Sequence, residues 1–231
     1  MLAVYLAWIG AFQVVGRYAA TLPTRDVTMA IDHAIPFVPG WVWVYEICYV
    51  VPFLPLVLVR DRRRLARALL AAIVANAAAF PVYLALPISW PLPDPGASLA
   101  GRVLALEQAF DFHPGANKLP SMHVAFAWLV YLTCRASTVR PAVQWGLLAL
   151  AGAISASTVL VKQHIAVDVV AGVVWAYAAW AAAGRLLPLI GRGTRSEREL
   201  FRRIALRAGV PTLLSIPVLI AARALVGLLF V

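Results

Sequence analysis

The chain has 231 residues, 63% of them hydrophobic and 13% charged, with 20 Lys and Arg against 10 Asp and Glu. A soluble domain is about 45–50% apolar and about 25% charged, so a soluble enzyme, a disordered chain and a disulfide scaffold are all disfavoured. The net charge of +10 would suit nucleic acid if the cations formed one patch, but their placement says otherwise.

In chain order, the apolar stretches predict spans at about 2–22, 41–59, 65–86, 121–137, 143–161 and 165–190. Each approaches the ~20 apolar residues that cross ~30 Å of hydrocarbon. The expected fold is therefore an all-α integral membrane protein, a bundle of six transmembrane helices. Residues 1–231 read as one membrane domain. Its core covers about 20–190, followed by a basic cytoplasmic segment at 191–209 and an apolar segment at 210–231. That last stretch carries Pro211, Pro217 and Arg223, so spanning, lying in the interface and packing on the bundle all remain open. The first stretch has no basic leader before Arg17 and no A-x-A-like cleavage site. It reads as a retained span, not a cleaved signal peptide.

Fourteen of the cations are arginines in three alternate connections. They are Arg60, Arg62, Arg63, Arg64 and Arg67; Arg135 and Arg140; and Arg185, Arg192, Arg195, Arg198, Arg202, Arg203 and Arg207. The positive-inside rule assigns these connections to the cytoplasm and the N-terminus with them. Nucleic acid drops out as a partner, and the bilayer takes its place. The Arg-rich segment after the sixth span reads as a topological anchor, with contact to anionic headgroups as the alternative. The Ala- and Arg-rich composition suggests a bacterial gene, hence a bacterial plasma membrane.

The other connections face outward. Residues 23–40 hold Asp26, Asp32 and His33, with Pro36 and Pro39 as breakers, an expected interfacial segment leading into the second span. Residues 87–120 form the longest loop and open with Pro87, Pro91, Pro93 and Pro95, which forbid a continuous helix. Cys48 and Cys134 lie inside spans and read as packing residues. Trp41, Trp43, Tyr45 and Trp90 read as interfacial anchors. Glu46 is a span carboxylate for which Arg102 and Arg17 are candidate partners.

Ionisable groups at membrane depth are functional candidates by default. One cluster is Asn117-Lys118-Leu119-Pro120-Ser121-Met122-His123. The other runs Ser157-Thr158-Val159-Leu160-Val161-Lys162-Gln163-His164, with Asp168 just beyond. His123 and His164 are separated by two spans and a short turn, which puts both at the outer face. His164 and Asp168 have the i, i+4 spacing that places them on one helix face. A carboxylate there fixes the imidazole tautomer and raises the nucleophilicity of the far nitrogen. Ser121 reads as an N-cap, and a helix N-terminus attracts phosphate. Lys118 and Lys162 would add positive charge. Activated histidine, second histidine, helix N-terminus and lysines together suit phosphoryl transfer through a phosphohistidine. Glu107, Asp111 and His113, on the approach to this segment, read as solvated loop residues, with an acceptor or headgroup site as the alternative.

The segments PSMH (Pro120–His123) and HIAVD (His164–Asp168) resemble the second and third motifs, P-S-G-H and S-R-x5-H-x3-D, of the type 2 phosphatidic acid phosphatase superfamily. With IDHAIPFVPGWVWVYE before the second span, they look closest to the branch holding inositol phosphorylceramide synthases and bacterial relatives. The resemblance implies His164 as nucleophile, Asp168 as its orienting partner and His123 as acid and then base. It implies Ser121 and the backbone N–H groups at Met122 as phosphate ligands, and no metal or cofactor. Two departures stand out. Thr158 occupies the third motif's Arg position, and the first motif, K-x6-R-P, is not recognisable. Lys162 with Lys118 or Arg102 is the expected substitute for the missing clamp.

The implied function is a membrane lipid phosphatase acting on a lipid phosphate or phosphodiester, with water as acceptor. A phosphotransferase using a lipid or polyol hydroxyl is the alternative, and a non-catalytic lipid carrier or assembly subunit the third. Oligomeric state is not legible in the sequence.

Overall fold

The computed structural model describes residues 2–111, 116–135 and 137–229. His113 lies outside the described residues. Among these the chain is all-helical, with one isolated parallel bridge between Arg25 and Ile88. The long helices are α1 (Leu2–Ala19), α5 (Arg62–Ala85), α6 (Leu99–Phe110), α7 (Met122–Arg135), α8 (Pro141–Leu160), α9 (Ala166–Ile190), α10 (Glu197–Ile204) and α11 (Val210–Leu229). A short α2 (Ala30–Ala34) sits in the first outer loop. The predicted second span is assembled from pieces: 3-10 turns surround α3 (Val42–Glu46) and lead into α4 (Leu54–Leu58). Pro52 and Pro55 explain this, since each lacks an N–H and crowds the preceding turn.

Local chemistry sets the helix ends. Asp61 caps α5 by accepting from the Arg63 and Arg64 N–H groups, at 2.9 and 3.3 Å. Ser98 caps α6, Ser196 caps α10, and Pro141 opens α8. Between α5 and α6 the proline cluster runs without helix, tied down where Arg25 N–H donates to the Pro87 carbonyl and Ile88 N–H to the Ala116 carbonyl.

Five described helical segments are long and apolar enough to cross a membrane: Pro39–Leu58, Arg62–Ala85, Pro141–Leu160, Ala166–Ile190 and Glu197–Gly227. This differs from the six expected. The stretch read as a fourth span begins only at Met122, after the Pro120–Ser121 turn, so α7 has 14 residues. The C-terminal stretch is longer than expected, because α10 continues through a π-helical turn, Ala205–Gly209, into α11. Gly209 faces Ile73, and the Arg223 Nε donates to the Leu84 carbonyl at 2.9 Å. Helix α11 thus runs beside α5 to its far end, and its one arginine serves an otherwise orphaned helix-end carbonyl.

Helices α5, α7 and α9 form the centre. One core joins α1, α5, α7, α9 and the C-terminal helices, and a second joins the Pro39–Leu58 segment to α7 and α8. Both cysteines are buried and unbridged in the second core. Two arginines of the first basic connection also tie helices together. Arg64 donates to the Thr133 and Leu132 carbonyls. Arg67 donates to the Trp180 carbonyl and lies 4.1 Å from the centre of that indole ring. These contacts fix the last turn of α7 and the C-terminal half of α9 against the start of α5, and the opposite ends of α7 and α9 meet.

Candidate functional site

At the opposite ends, the loop before α7 meets the loop before α9. Ser121 N–H donates to the Asp168 carbonyl, and the Tyr83 hydroxyl donates to the Pro120 carbonyl at 2.9 Å. Gly172 permits the approach: a Cβ there would lie 2.6 Å from the Ser121 carbonyl oxygen. Helix α7 starts directly after this contact, with the Ser121 hydroxyl accepting from the Val124 N–H at 3.4 Å.

The contact brings the two histidines together. His123 Nδ1 lies 3.2 Å from His164 Nε2, and His164 Nδ1 lies 3.0 Å from Asp168 Oδ2. His164 sits just before α9, and its N–H donates to the Thr158 carbonyl. Asp168 lies in the first turn of α9 and is fully buried, whereas His164 is 4% exposed. With the carboxylate accepting from Nδ1–H, the Nε2 lone pair of His164 points at His123. The Tyr45 hydroxyl sits 3.1 Å from His123 Nε2, so both nitrogens of that ring are engaged.

The expected cations divide. Lys118 is 2% exposed, 3.2 Å from Asp111 Oδ2, and donates to Gln163 Oε1 at 3.3 Å. Lys162 turns away. Its backbone is left-handed (φ 58°), and its ammonium bonds the Asp32 and Ile35 carbonyls, each at 2.6 Å. Arg102 is exposed and donates to the Ala97 carbonyl. The Thr158 side chain is buried, with its hydroxyl on the Ser155 carbonyl. Lys118 therefore lies beside the histidine pair, whereas Lys162, Arg102 and the Thr158 hydroxyl are committed elsewhere.

Several neighbours were read differently in the sequence. Tyr45 is not an interfacial anchor: it is fully buried against His123. Trp90 is buried too, with its indole N–H on the Lys162 carbonyl. Glu46 lies near Glu107, and Glu107 accepts from the Tyr49 hydroxyl at 2.7 Å. Asp32, expected only as part of an interfacial segment, has a further role. It accepts from the Ala166 N–H at 2.7 Å and so caps α9 from another loop. A carboxylate 134 residues distant leaves no local signal for such a cap.

Electrostatics follow burial. Burial pushes the Glu107 carboxyl up to about 7, aided by the nearby Glu46 and Asp111 carboxylates and opposed by the Tyr49 hydrogen bond. Burial also pushes Asp111 up, but Lys118 and the neighbouring imidazoles outweigh it and hold that carboxyl below its ordinary value. Among the described residues, no group of three or more His, Cys, Asp and Glu is placed to hold a metal ion.

A cavity of about 300 Å³ opens beside His123. It lies between α1 and the Pro39–Leu58 segment, with α5 and α7 behind. His123, Asp111 and Tyr49 line one end, while Leu65, Leu129 and Thr133 line the other. His123 to Thr133 is ten residues of helix, or about 15 Å of length. The walls are apolar apart from a few side chains.

Fold and site together define a helical membrane protein with paired imidazoles beside a hydrophobic cavity. The family model of the PAP2 superfamily matches residues 33–182, well over half of the chain, and the chain belongs to that superfamily. Membership points to a phosphatase-type activity on lipid phosphate. No curated relative and no solved structure matches the chain.

Proposed function

We propose that this protein is a lipid phosphatase that works through a phosphohistidine, with water as acceptor. The observation that carries the reading is the hydrogen-bonded chain Asp168–His164–His123, whose last member stands in the first turn of α7 and lines the apolar cavity. The tail of a lipid phosphate lies in the cavity and its phosphoryl group enters between the imidazoles. His164 Nε2 attacks phosphorus, the bond to the leaving oxygen breaks, and His123 delivers a proton to that oxygen. Water then gives its proton to His123 and attacks phosphorus, and the P–N bond returns its electron pair to Nε2. Asp168 keeps Nδ1–H in place and balances the developing imidazolium. The first-turn N–H groups at Met122 and His123, with Ser121, bind the phosphoryl oxygens. Lys118 supplies the nearby positive charge.

In this reading α1 and α7 complete a six-span core, α11 crosses beside α5, and the arginine-rich connections are cytoplasmic. The N-terminus is then cytoplasmic and the site lies on the outer face of a bacterial plasma membrane. The whole chain acts as one membrane domain.

A second reading, transfer to a lipid or polyol hydroxyl, is favoured by the carboxylates Glu107 and Asp111 beside the site, which can accept from hydroxyl groups. It fits the branch with inositol phosphorylceramide synthases. Purified protein in lipid, given a phosphatidate with and without hydroxyl acceptors, decides. Free phosphate without acceptor supports the phosphatase. A phosphodiester formed only with acceptor establishes the transferase. No product in either arm, with no label trapped on His164, leaves a carrier.

A further inference from the structure

Two amides interrupt the otherwise apolar wall of the cavity. Gln13 on α1 and Asn76 on α5 both line it. Asn76 is 5% exposed, and its Nδ2 donates to the Ala72 carbonyl of its own helix at 2.9 Å. That bond leaves the Asn76 oxygen and one N–H for another partner. Gln13 is half-buried, and among the described residues its amide has no hydrogen-bond partner. Uncharged amides at membrane depth cost free energy unless they bond, so two on one cavity call for a polar occupant.

Their depth is set by contacts above them. Gly16 abuts the Asn117 amide, beside Lys118, and Gln13 lies one helical turn below Gly16. Tyr83 reaches the Pro120 carbonyl, and Asn76 lies two turns below Tyr83. Both amides therefore sit roughly 5–10 Å beneath the loop that carries the histidines. In a lipid whose phosphate is at His123, that depth holds the group joining headgroup to tail.

We propose that Gln13 and Asn76 form a linkage-binding site, taking a neutral ester, amide or hydroxyl of the lipid within the tail cavity. The site rests on the lipid-phosphate reading above and adds a selectivity: acylated backbones over plain alkyl phosphates. One amide donates to the linkage carbonyl while the other accepts from a hydroxyl or amide N–H.

The test is binding to His164→Asn protein in detergent, which avoids turnover. The probes are a radiolabelled acyl-glycerol phosphate and an alkyl phosphate of equal chain length. The expected result is a preference of about 5- to 10-fold for the acyl-glycerol phosphate, as one or two neutral hydrogen bonds would give. Asn76→Leu or Gln13→Leu should collapse the preference while leaving alkyl phosphate binding intact. Gln13, half-buried on α1, is the variant least able to disturb folding. An unchanged ratio in both variants, a parallel loss of both ligands, no initial preference or no binding at all overturns the linkage site. Wild-type turnover of both probes, lost in His164→Asn, is measured alongside. Its absence counts against the phosphohistidine reading, independently of the binding ratio.

Discussion

His123 Nδ1 and His164 Nε2 lie 3.2 Å apart although 41 residues separate them in the chain. Helices α7 and α8 carry the chain away and back, so the two rings meet at one end of the bundle. The nitrogen of His164 that faces His123 is the one that Asp168 leaves unprotonated. If His164 is the nucleophile, His164→Asn should lower turnover by at least about 10³-fold, as loss of a covalent route does. His123→Asn removes the proton carrier of both steps and should lower turnover about 10²- to 10⁴-fold, while the His164 nucleophile that label would trap is retained. Rapid-quench trapping of label on the two variants checks both outcomes.

Asp168 holds His164 through one oxygen and is fully buried. Asp168→Asn presents an amide where a carboxylate accepted, so the imidazole is free to take the wrong tautomer. Turnover should fall on the order of 10²–10⁴-fold with little change in KM. Steady-state kinetics on a short-chain lipid phosphate separates the two parameters. A purely structural role would instead raise KM and lower the melting temperature together.

The two lysines should behave oppositely. Lys118 lies beside the histidines, so Lys118→Met should weaken turnover of an anionic substrate about 10- to 100-fold. Lys162 bonds two carbonyls of the α2 segment. Lys162→Met should cost stability, about 1.5–3 kcal/mol for its charged hydrogen bonds, and leave the residual kcat of folded protein near wild type. Thermal unfolding in detergent and activity per folded molecule distinguish them. An inactive but fully stable Lys162→Met protein would refute this division.

Glu107 makes stability depend on pH. Unfolded, it titrates near an ordinary 4.5; folded, burial pushes it up to about 7. Between these values the folded protein holds the extra proton. The contribution is fully present below about 4.5 and is lost as pH rises through about 7. The melting temperature in detergent should therefore fall from pH 5 to pH 8. Glu107→Gln, neutral throughout, should flatten that slope. An identical slope in the variant would show that other groups govern it.

Gly172 is where α9 meets the start of α7. Gly172→Ala places a methyl 2.6 Å from the Ser121 carbonyl oxygen and 2.9 Å from the Val124 Cβ. The backbone oxygen cannot swing aside, so the His123 loop must shift. Activity should drop about 10²-fold, since misplacement near 1 Å costs that much, while the helical circular dichroism stays unchanged.

Much of the bundle was legible because membrane helices announce themselves by length and apolarity. The stretches read as spans correspond to helices, with changed boundaries. Proline broke the second into turns, the Pro120–Ser121 turn shortened the fourth, and the C-terminal segment proved continuous through a π-helical turn. The histidines, Asp168 and Ser121 were legible for a local reason. His164 and Asp168 are four residues apart, and Ser121 stands at a helix start.

Composition and spacing alone made readable the helical membrane character of the chain and the pairing of two polar clusters. Each depends only on composition and on spacing along the chain. Tertiary structure decided where the side chains around those clusters go. Lys162 turned to the α2 carbonyls, Tyr45 moved in beside His123, Asp32 capped α9, and Tyr49 met Glu107. The partners in these pairs lie far apart in the chain, and helix packing alone brings them together. The same packing opens the cavity beneath His123, which no single helix contains.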